Sequence, residues 1–430
     1  MNTLIVCLLL ITFFGFIFYI FKGGNLMLGF FIMALLWTVI GGISYQKAIV
    51  NVFATPVANY GSTIVYIIFG SWFGQVLVES GIAPAVSHAT GRFGKKRPLV
   101  TAILVVLVTA LIFSSAYGVG SVIAIGVILL PVLLSVGVPR PIALTVFSLA
   151  IGAPMYINVV LFNQMKAFFP KAVYGGKYLI FGICAALVQL LAVIIFLAIH
   201  AHKFDASKAE ANLQEVGATA DRKVEVPKIP IIAWVIPVVP VAMNIIFKWD
   251  AIPSLVLASI LAMLLTGKMA NYKKMMSFIN DTIQKGISNI AGLIMFLLIL
   301  TMFSGAATLN AQRFEPIFKV ILPHSTLAIC ILIGIIAPLS LFRGPLQVWG
   351  AGAATAAVLS GMHLFPDSFL LPLLYTATLF AVSTDITQSW NVWGLGYMKV
   401  QSKELLKYGI PVMWIVSIIN EFLVYIFLGR

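Results

Sequence analysis

Fourteen apolar runs, most of them close to the length of a membrane-crossing helix, follow one another along this chain with only short polar joints between them. The first set lies at 3–21, 24–44, 62–80, 98–114, 118–137, 141–163 and 176–200. The second lies at 230–247, 252–270, 286–304, 325–342, 345–362, 367–390 and 405–428. A run of about 20 apolar residues fits a helix across a ~30 Å hydrocarbon core, whereas a barrel strand needs only about 10. Hydrocarbon offers no partner to a backbone N–H or C=O, so such runs must pair those groups internally. With 61% hydrophobic and 9% charged residues, 430 residues cannot hide that much apolar surface in a soluble core. The expected fold is an all-α polytopic membrane protein.

The formal net charge of +14 does not point to nucleic acid, because the basic residues sit in the joints between runs. Such a bias suits an anionic leaflet and an anionic solute. Cys7, Cys184 and Cys330 fall inside apolar runs without disulfide or metal spacing, and read as buried thiols. The run from Asn2 to Phe21 lacks a basic start and a small-residue cleavage site, and is expected to be a retained first helix.

The two sets of runs match in number and spacing. Lys177-Tyr178 is answered by Lys407-Tyr408, Ile195-Phe196-Leu197 by Ile426-Phe427-Leu428, and the amphipathic joint 45–61 by 272–286. Agreement in order points to an internal repeat. An odd number of crossings per half turns the second half upside down, giving two inverted-topology repeats. The expected division is 1–200 for the first repeat (scaffold helices 1–61, transport part 62–200), 201–229 for a polar linker, and 230–430 for the second (scaffold 230–285, transport part 286–430). Basic clusters at Arg92/Lys95/Lys96/Arg97, Lys268/Lys273/Lys274/Lys285 and Lys399/Lys403/Lys407 would then lie inside, and Lys166, Lys171 and Lys177 outside.

Not every run need span. The pair within 98–137 has a polar joint at 114–121 (Ser-Ser-Ala-Tyr-Gly-Val-Gly-Ser), and the pair within 325–362 has one at 340–345 (Ser-Leu-Phe-Arg-Gly-Pro). Each reads as a re-entrant helical hairpin with its tip at membrane depth, the alternative being two plain spans. Two further runs carry breaks, so each repeat holds one broken transmembrane helix. One is at Gly152-Ala153-Pro154-Met155-Tyr156-Ile157-Asn158, where Pro154 removes a backbone donor. The other follows Ser383-Thr384-Asp385. Irregular backbone at that depth is tolerated only where protein or a watery cavity covers it.

These joints hold the candidate site. Charge in a membrane span is costly and usually functional. Arg343 offers a permanent, planar cation that matches a carboxylate; the bland alternative is an arginine at an aqueous joint. Ser114, Ser115, Asn158, Thr387 and Gln388 supply further substrate-binding groups, although Asn158 also suits a proline kink with a satisfied amide. Asp385, with Ser383 and Thr384, is a candidate for the coupling ion, as a proton acceptor or as a Na+ site formed by Ser383 and Asp385. Its alternatives are a structural partner for Arg343 or a helix cap. Glu79 closes the third run and is a weaker coupling candidate, since a carboxylate at a helix end is commonly just solvated. Glu421, mid-run in the last helix, suits an interhelical pair or a proton route. His88, His200 and His202 lack metal-ligand neighbours, and no Gly-Lys-Ser/Thr phosphate loop occurs, so no cofactor or ATP is expected.

Several of these phrases resemble the gluconate permease family of the ion transporter superfamily, with some likeness to its citrate–metal symporter relatives. They are Phe73-Gly74-Gln75-Val76-Leu77-Val78-Glu79-Ser80-Gly81; Tyr117-Gly118-Val119-Gly120 through Leu129-Leu130-Pro131; and 383–393 with Lys403-Glu404-Leu405-Leu406-Lys407. The family's Asn-Asp-Ser-Gly-Phe-Trp phrase stands here as Asp385-Ile386-Thr387-Gln388-Ser389-Trp390. The resemblance implies two re-entrant hairpins, two broken helices, a homodimer in the plasma membrane (a bacterial inner membrane), and an elevator-like movement. The function expected is secondary active transport of a small organic anion, a carboxylate or sugar acid, coupled to H+ or Na+. The competing expectation is a Na+/H+ antiporter without an organic substrate. No enzyme constellation is visible.

Overall fold

A computed structural model describes residues 2–22, 24–86, 97–166, 168–215, 229–323 and 325–430. All regular structure among them is helical. Among the described residues, seven helices are long and apolar enough to cross a bilayer: Tyr45–Glu79, Arg140–Ile157, Gly176–Lys203, Tyr272–Phe314, Thr326–Arg343, Asp367–Met398 and Ser402–Leu428. The basic residues Arg92, Lys95 and Lys96, His88, and the linker segment 216–228 lie outside the described residues.

The chain begins with α1 (Asn2–Phe21), α2 (Leu26–Ile40) and α3 (Tyr45–Glu79). Next come α4 (Pro98–Phe113), α5 (Val119–Ser135), α6 (Arg140–Ile157), α7 (Val159–Met165) and α8 (Gly176–His200). The second half holds α9 (Val239–Phe247), α10 (Ala251–Leu265) and α11 (Tyr272–Ile321). It continues with α12 (Thr326–Arg343), α13 (Gly352–Met362), α14 (Asp367–Thr384), α15 (Ser389–Met398) and α16 (Ser402–Leu428). From α3 and from α11 onward the order of elements is similar: a long helix, two helices of 11–18 residues, an interrupted helix, a long helix, with α12 alone of those four shorter helices long enough to cross.

The stretches 45–61 and 272–286 are not joints. Both are helical and run into the apolar run that follows, inside α3 and α11. In α3 the register is absorbed by π-helical turns at Ala48–Ala54, with Pro56 at the start of the next α-helical segment where its missing N–H does no harm. α11, at 50 residues, is roughly 75 Å long and must tilt or project beyond a ~30 Å core. It is clamped by α2. Trp37 stacks on Phe314 with centroids 5.6 Å apart and meets Phe303 edge-on at 5.3 Å. Asn310 Nδ2 donates to Trp37 O at 3.0 Å and Arg313 Nη2 to Gly41 O at 3.0 Å.

α3 packs antiparallel on α11. Ser71 Oγ donates to Gly286 O at 2.9 Å, Trp72 Nε1 to Thr282 Oγ1 at 3.1 Å, and Lys285 Nζ lies 2.6 Å from Glu79 Oε1. On one face of the molecule Arg140, Lys203 and Lys399 gather beside the start of the linker, where Asp205 N donates to Gly137 O. Lys171 and Lys177 lie at the opposite end of α8, beside Arg430. This is the separation that the basic-joint pattern anticipates for Lys399 and Lys177.

α4 and α5 have 16 and 17 residues, about 24–26 Å each, short of the full hydrocarbon thickness. The turn between them is buried: Ser115 is 1% exposed and Tyr117 8%. A joint at an aqueous face would be open instead. The turn lies against α3, where a Cβ on Gly74 would sit 2.6 Å from Ser121 Oγ and 3.1 Å from Tyr117 O. Gly74→Val should therefore lower stability by about 1–3 kcal/mol, the usual cost of overpacking. Gly15→Ala, where a Cβ meets nothing, should leave it unchanged. Thermal unfolding of the two purified variants in detergent checks this, and equal midpoints would refute the contact.

Candidate functional site

The two interrupted helices cross at their breaks. A Cβ on Gly152 would sit 2.0 Å from Ser383 Oγ, so only glycine permits this approach. Gln189 of α8 lies over the crossing, its Nε2 donating to Leu149 O at 2.8 Å and to Ser383 Oγ at 3.3 Å. Ser148 Oγ donates to Asn391 Oδ1 at 2.7 Å, tying α6 to α15.

At the first break, α6 tightens into a 3-10 turn at Ala153–Ile157 and Asn158 is extended. Its Oδ1 accepts from Val160 N and Leu161 N, capping α7. Its Nδ2 donates to Phe113 O and Ala116 O, both at 3.2 Å, pinning the turn between α4 and α5. The carbonyls loosened by the break are covered by phenols: Tyr375 on Met155 O, Tyr178 on Tyr156 O and Tyr174 on Ile157 O. Asn158 thus holds backbone with all of its amide groups.

At the second break α14 ends at Thr384 and α15 starts at Ser389. Asp385 is fully buried. Its Oδ1 accepts from Thr387 N at 2.7 Å and its Oδ2 from Arg343 N at 3.3 Å. Asn391 Nδ2 donates to Asp385 O at 3.0 Å. The carboxylate therefore caps the turn and also receives the Arg343 main chain. Each oxygen keeps a further lone-pair direction for a proton or a cation. Thr384 Oγ1 bonds back to Phe380 O within its own helix.

The end of α12 brings Arg343 to this break. Ala337–Arg343 winds as a 3-10 turn interrupted by extended Leu341, and Phe342 and Arg343 both have left-handed φ, 55° and 61°. Such backbone costs roughly 1–2 kcal/mol per non-glycine residue, so the surrounding contacts must impose it. The Arg343 guanidinium donates through Nη1 to Trp349 O at 3.3 Å and through Nη2 to Thr387 O at 3.2 Å. It makes no ion pair among the described residues, where the pairs are Lys208–Asp205 and Lys285–Glu79.

Arg343, Gln388, Ser389 and Trp390 line a cavity of about 350 Å³ with Trp349, Tyr117 and Gly118 of the first turn, and Asn289 of α11. Gln388 Oε1 and the indole N–H groups of Trp349 and Trp390 are buried without partners. The structure so brings together Arg343, Thr387, Gln388, Asp385, Ser383 and Thr384 at the second break. Ser114 and Ser115 lie at the base of the first turn and do not line the cavity; Ser114 Oγ faces Leu111 O and Pro237 O. Glu79 is apart, on Lys285. Glu421 is 1% exposed in α16, and neither of its oxygens has a hydrogen-bond partner. Sequence reading overlooked Asn289, Trp349 and Gln189. The amide at 189 stands alone in an apolar run, which was the available signal; Asn289 sits beside Ser288 at the polar start of its run, and Trp349 had no signal.

No family model matches the chain, and no curated protein matches it. Its fold is similar to that in a crystal structure of the YdaH transporter of Alcanivorax borkumensis, described as having an unusual topology. The TM-score is 0.61 at 13% identity, over 94% of this chain and 98% of that one. At that identity the likeness is one of fold. It shows a fold shared with that membrane transporter and does not single out gluconate permeases.

Asn391 is fully buried and joins three segments through its amide. Asn391→Leu should destabilise by about 1–3 kcal/mol, because it removes the acceptor of the Ser148 hydroxyl and the amide donor to Val382 O and Asp385 O, of which the latter keeps Gln388 N. Ser148→Ala should cost less, about 1 kcal/mol. Thermal unfolding ranks the two, and the opposite order would contradict the role given to Asn391.

Proposed function

We propose that the chain is a secondary active transporter that moves a small organic anion, a carboxylate or sugar acid, coupled to H+ or Na+. The observation that carries this reading is the Arg343 guanidinium on the wall of the 350 Å³ cavity with no carboxylate in direct ion-pair contact among the described residues. A fixed cation in a poorly hydrated cavity draws an anion and repels a free metal ion. That weighs against a Na+/H+ antiporter. Gln388 and the two indoles would complete the solute's hydrogen bonds, with Thr387 holding the guanidinium in place. Ser114, Ser115 and Asn158 would shape the first turn rather than touch the solute.

Coupling is assigned to Asp385, with Ser383 and Thr384 beside it. A carboxylate bonded to the Arg343 main chain can pass the presence of its own ligand to the anion site without touching the anion. Glu79 would act at a distance, through its pair with Lys285. Glu421 is a second carboxyl that a proton could use. The inverted repeats and the scaffold and transport parts belong to the same proposal. Their boundaries at 61/62 and 285/286 fall inside α3 and α11, so movement between the parts would bend those helices. A homodimer in the bacterial inner membrane and kinship with gluconate permeases complete the reading.

Arg343→Ala should reduce saturable uptake of a small carboxylate into proteoliposomes at least about 30-fold, since losing a buried charge partner costs roughly 2 kcal/mol or more. Arg343→Lys should recover part of it, because a point charge lacks the planar fork. Uptake unchanged in a folded Arg343→Ala protein would end the assignment. Asp385→Asn should leave anion binding measurable and remove the dependence of uptake on the cation gradient. Gradient dependence that persists would move coupling elsewhere.

A further inference from the structure

A second cavity, of about 520 Å³, lies between α3, α7 and α11. Its wall carries Asn51, Thr55, Asn59 and Ser62 from α3, Lys166 after α7, and Ser304 from α11. Thr301, also on α11, lines it little more than one turn beyond Phe296, which lines the Arg343 cavity. Lys166 belongs to the face that also carries Lys171 and Lys177, opposite the linker.

The lining is unusual for a membrane span. The side chains of Asn51, Thr55, Asn59 and Ser62 are exposed on the first half of α3 and make no hydrogen bond among the described residues. Exposed amides and hydroxyls without protein partners are free to meet water or a solute, and in a chain that spans a membrane they suit a watery cavity better than lipid. The cavity wall has hydroxyls and carboxamides, which both donate and accept, one ammonium, and no carboxylate. The Lys166 ammonium forms no ion pair among the described residues. The π-helical turns Ala48–Ala54 lie at this wall, and Gly305 allows α11 to approach Asn51 O, where a Cβ would come within 2.8 Å. π turns inside α-helices recur at functional sites. The volume is within the range of small-molecule pockets.

We propose that this cavity is a second, outer binding site, for a monoanion rich in hydroxyl groups. Lys166 meets the carboxylate, and Asn51, Thr55, Asn59 and Ser304 meet the hydroxyls. A carboxylate without hydroxyls leaves those groups unpaired and binds more weakly. The site's place as an entry station for the Arg343 cavity rests on the transport reading; binding itself does not.

Equilibrium titration of the full-length protein in lipid nanodiscs tests it, with gluconate, hexanoate and sorbitol as probes. They separate hydroxyls from charge on a six-carbon frame. The Arg343→Ala protein, its inner cavity disabled, should still bind one gluconate per chain. In that background Lys166→Gln should weaken gluconate about tenfold or more, as loss of a charge-assisted contact does. Ser304→Ala and Asn51→Leu should each weaken gluconate several-fold and leave hexanoate unchanged. A thermal midpoint and an elution profile equal to those of the parent certify that each variant is folded. Absence of gluconate binding by Arg343→Ala up to tens of millimolar overturns the proposal. So does binding indifferent to Lys166→Gln, or hexanoate or sorbitol bound as tightly as gluconate. Failure of uptake in the Arg343 series touches the proposed function alone, because the outer site is read by binding.

Discussion

The structure depends on how it satisfies backbone that has left the helix at membrane depth. A helix in hydrocarbon pairs its own N–H and C=O groups; an interrupted one must borrow partners. The two breaks borrow differently. At the first, three tyrosines from α8, α14 and the segment before α8 cover the carbonyls of Met155, Tyr156 and Ile157, and Asn158 spends its whole amide on α7 and on the α4–α5 turn. At the second, the partners are charged or exchangeable: the Asp385 carboxylate, the Asn391 amide and the Arg343 guanidinium.

This asymmetry separates a closed joint from an open one. Phenols bound to carbonyls have no obvious second state. A guanidinium held by two carbonyls, with cavity on its remaining side, does. Neutral carbonyls orient Arg343 but do not cancel its charge. The left-handed backbone at Phe342 and Arg343 is the local strain that brings this cation to the wall. Asp385 hydrogen-bonds to the main chain of the same residue and acts on its charged end only through space, so the acid and the base are linked without a direct ion pair.

The crossing point explains why the site is shared by both halves. Gly152 lets Ser383 come into contact, Gln189 bridges the two segments, and Ser148 reaches Asn391. A shift of one broken helix must therefore be felt by the other. α11 forms the common wall, presenting Asn289 to one cavity and Ser304 to the other, and it is fastened to α2 by Trp37, Phe303 and Phe314.

Much of this was legible in the residue order. Run length and composition dictated a helical membrane protein. Pro154 with Asn158, and Asp385 among hydroxyls, marked both breaks, and Arg343-Gly344-Pro345 marked a turn, because charge, amide and proline are costly inside a helix in hydrocarbon. The joints 45–61 and 272–286 were misread, since polar residues on one face do not stop a helix that packing supports. Which polar groups meet could not be read either. Nothing local says that Asp385 takes the main chain of Arg343 instead of its guanidinium, or that Glu79 is occupied by Lys285. Those partners lie 42 and 206 residues apart in the chain and are brought together only by the packing of whole helices. The sequence by itself determined where the helices must break; the tertiary structure alone decided which charge was held by carbonyls instead of an ion pair, because a partner is a matter of distance in space.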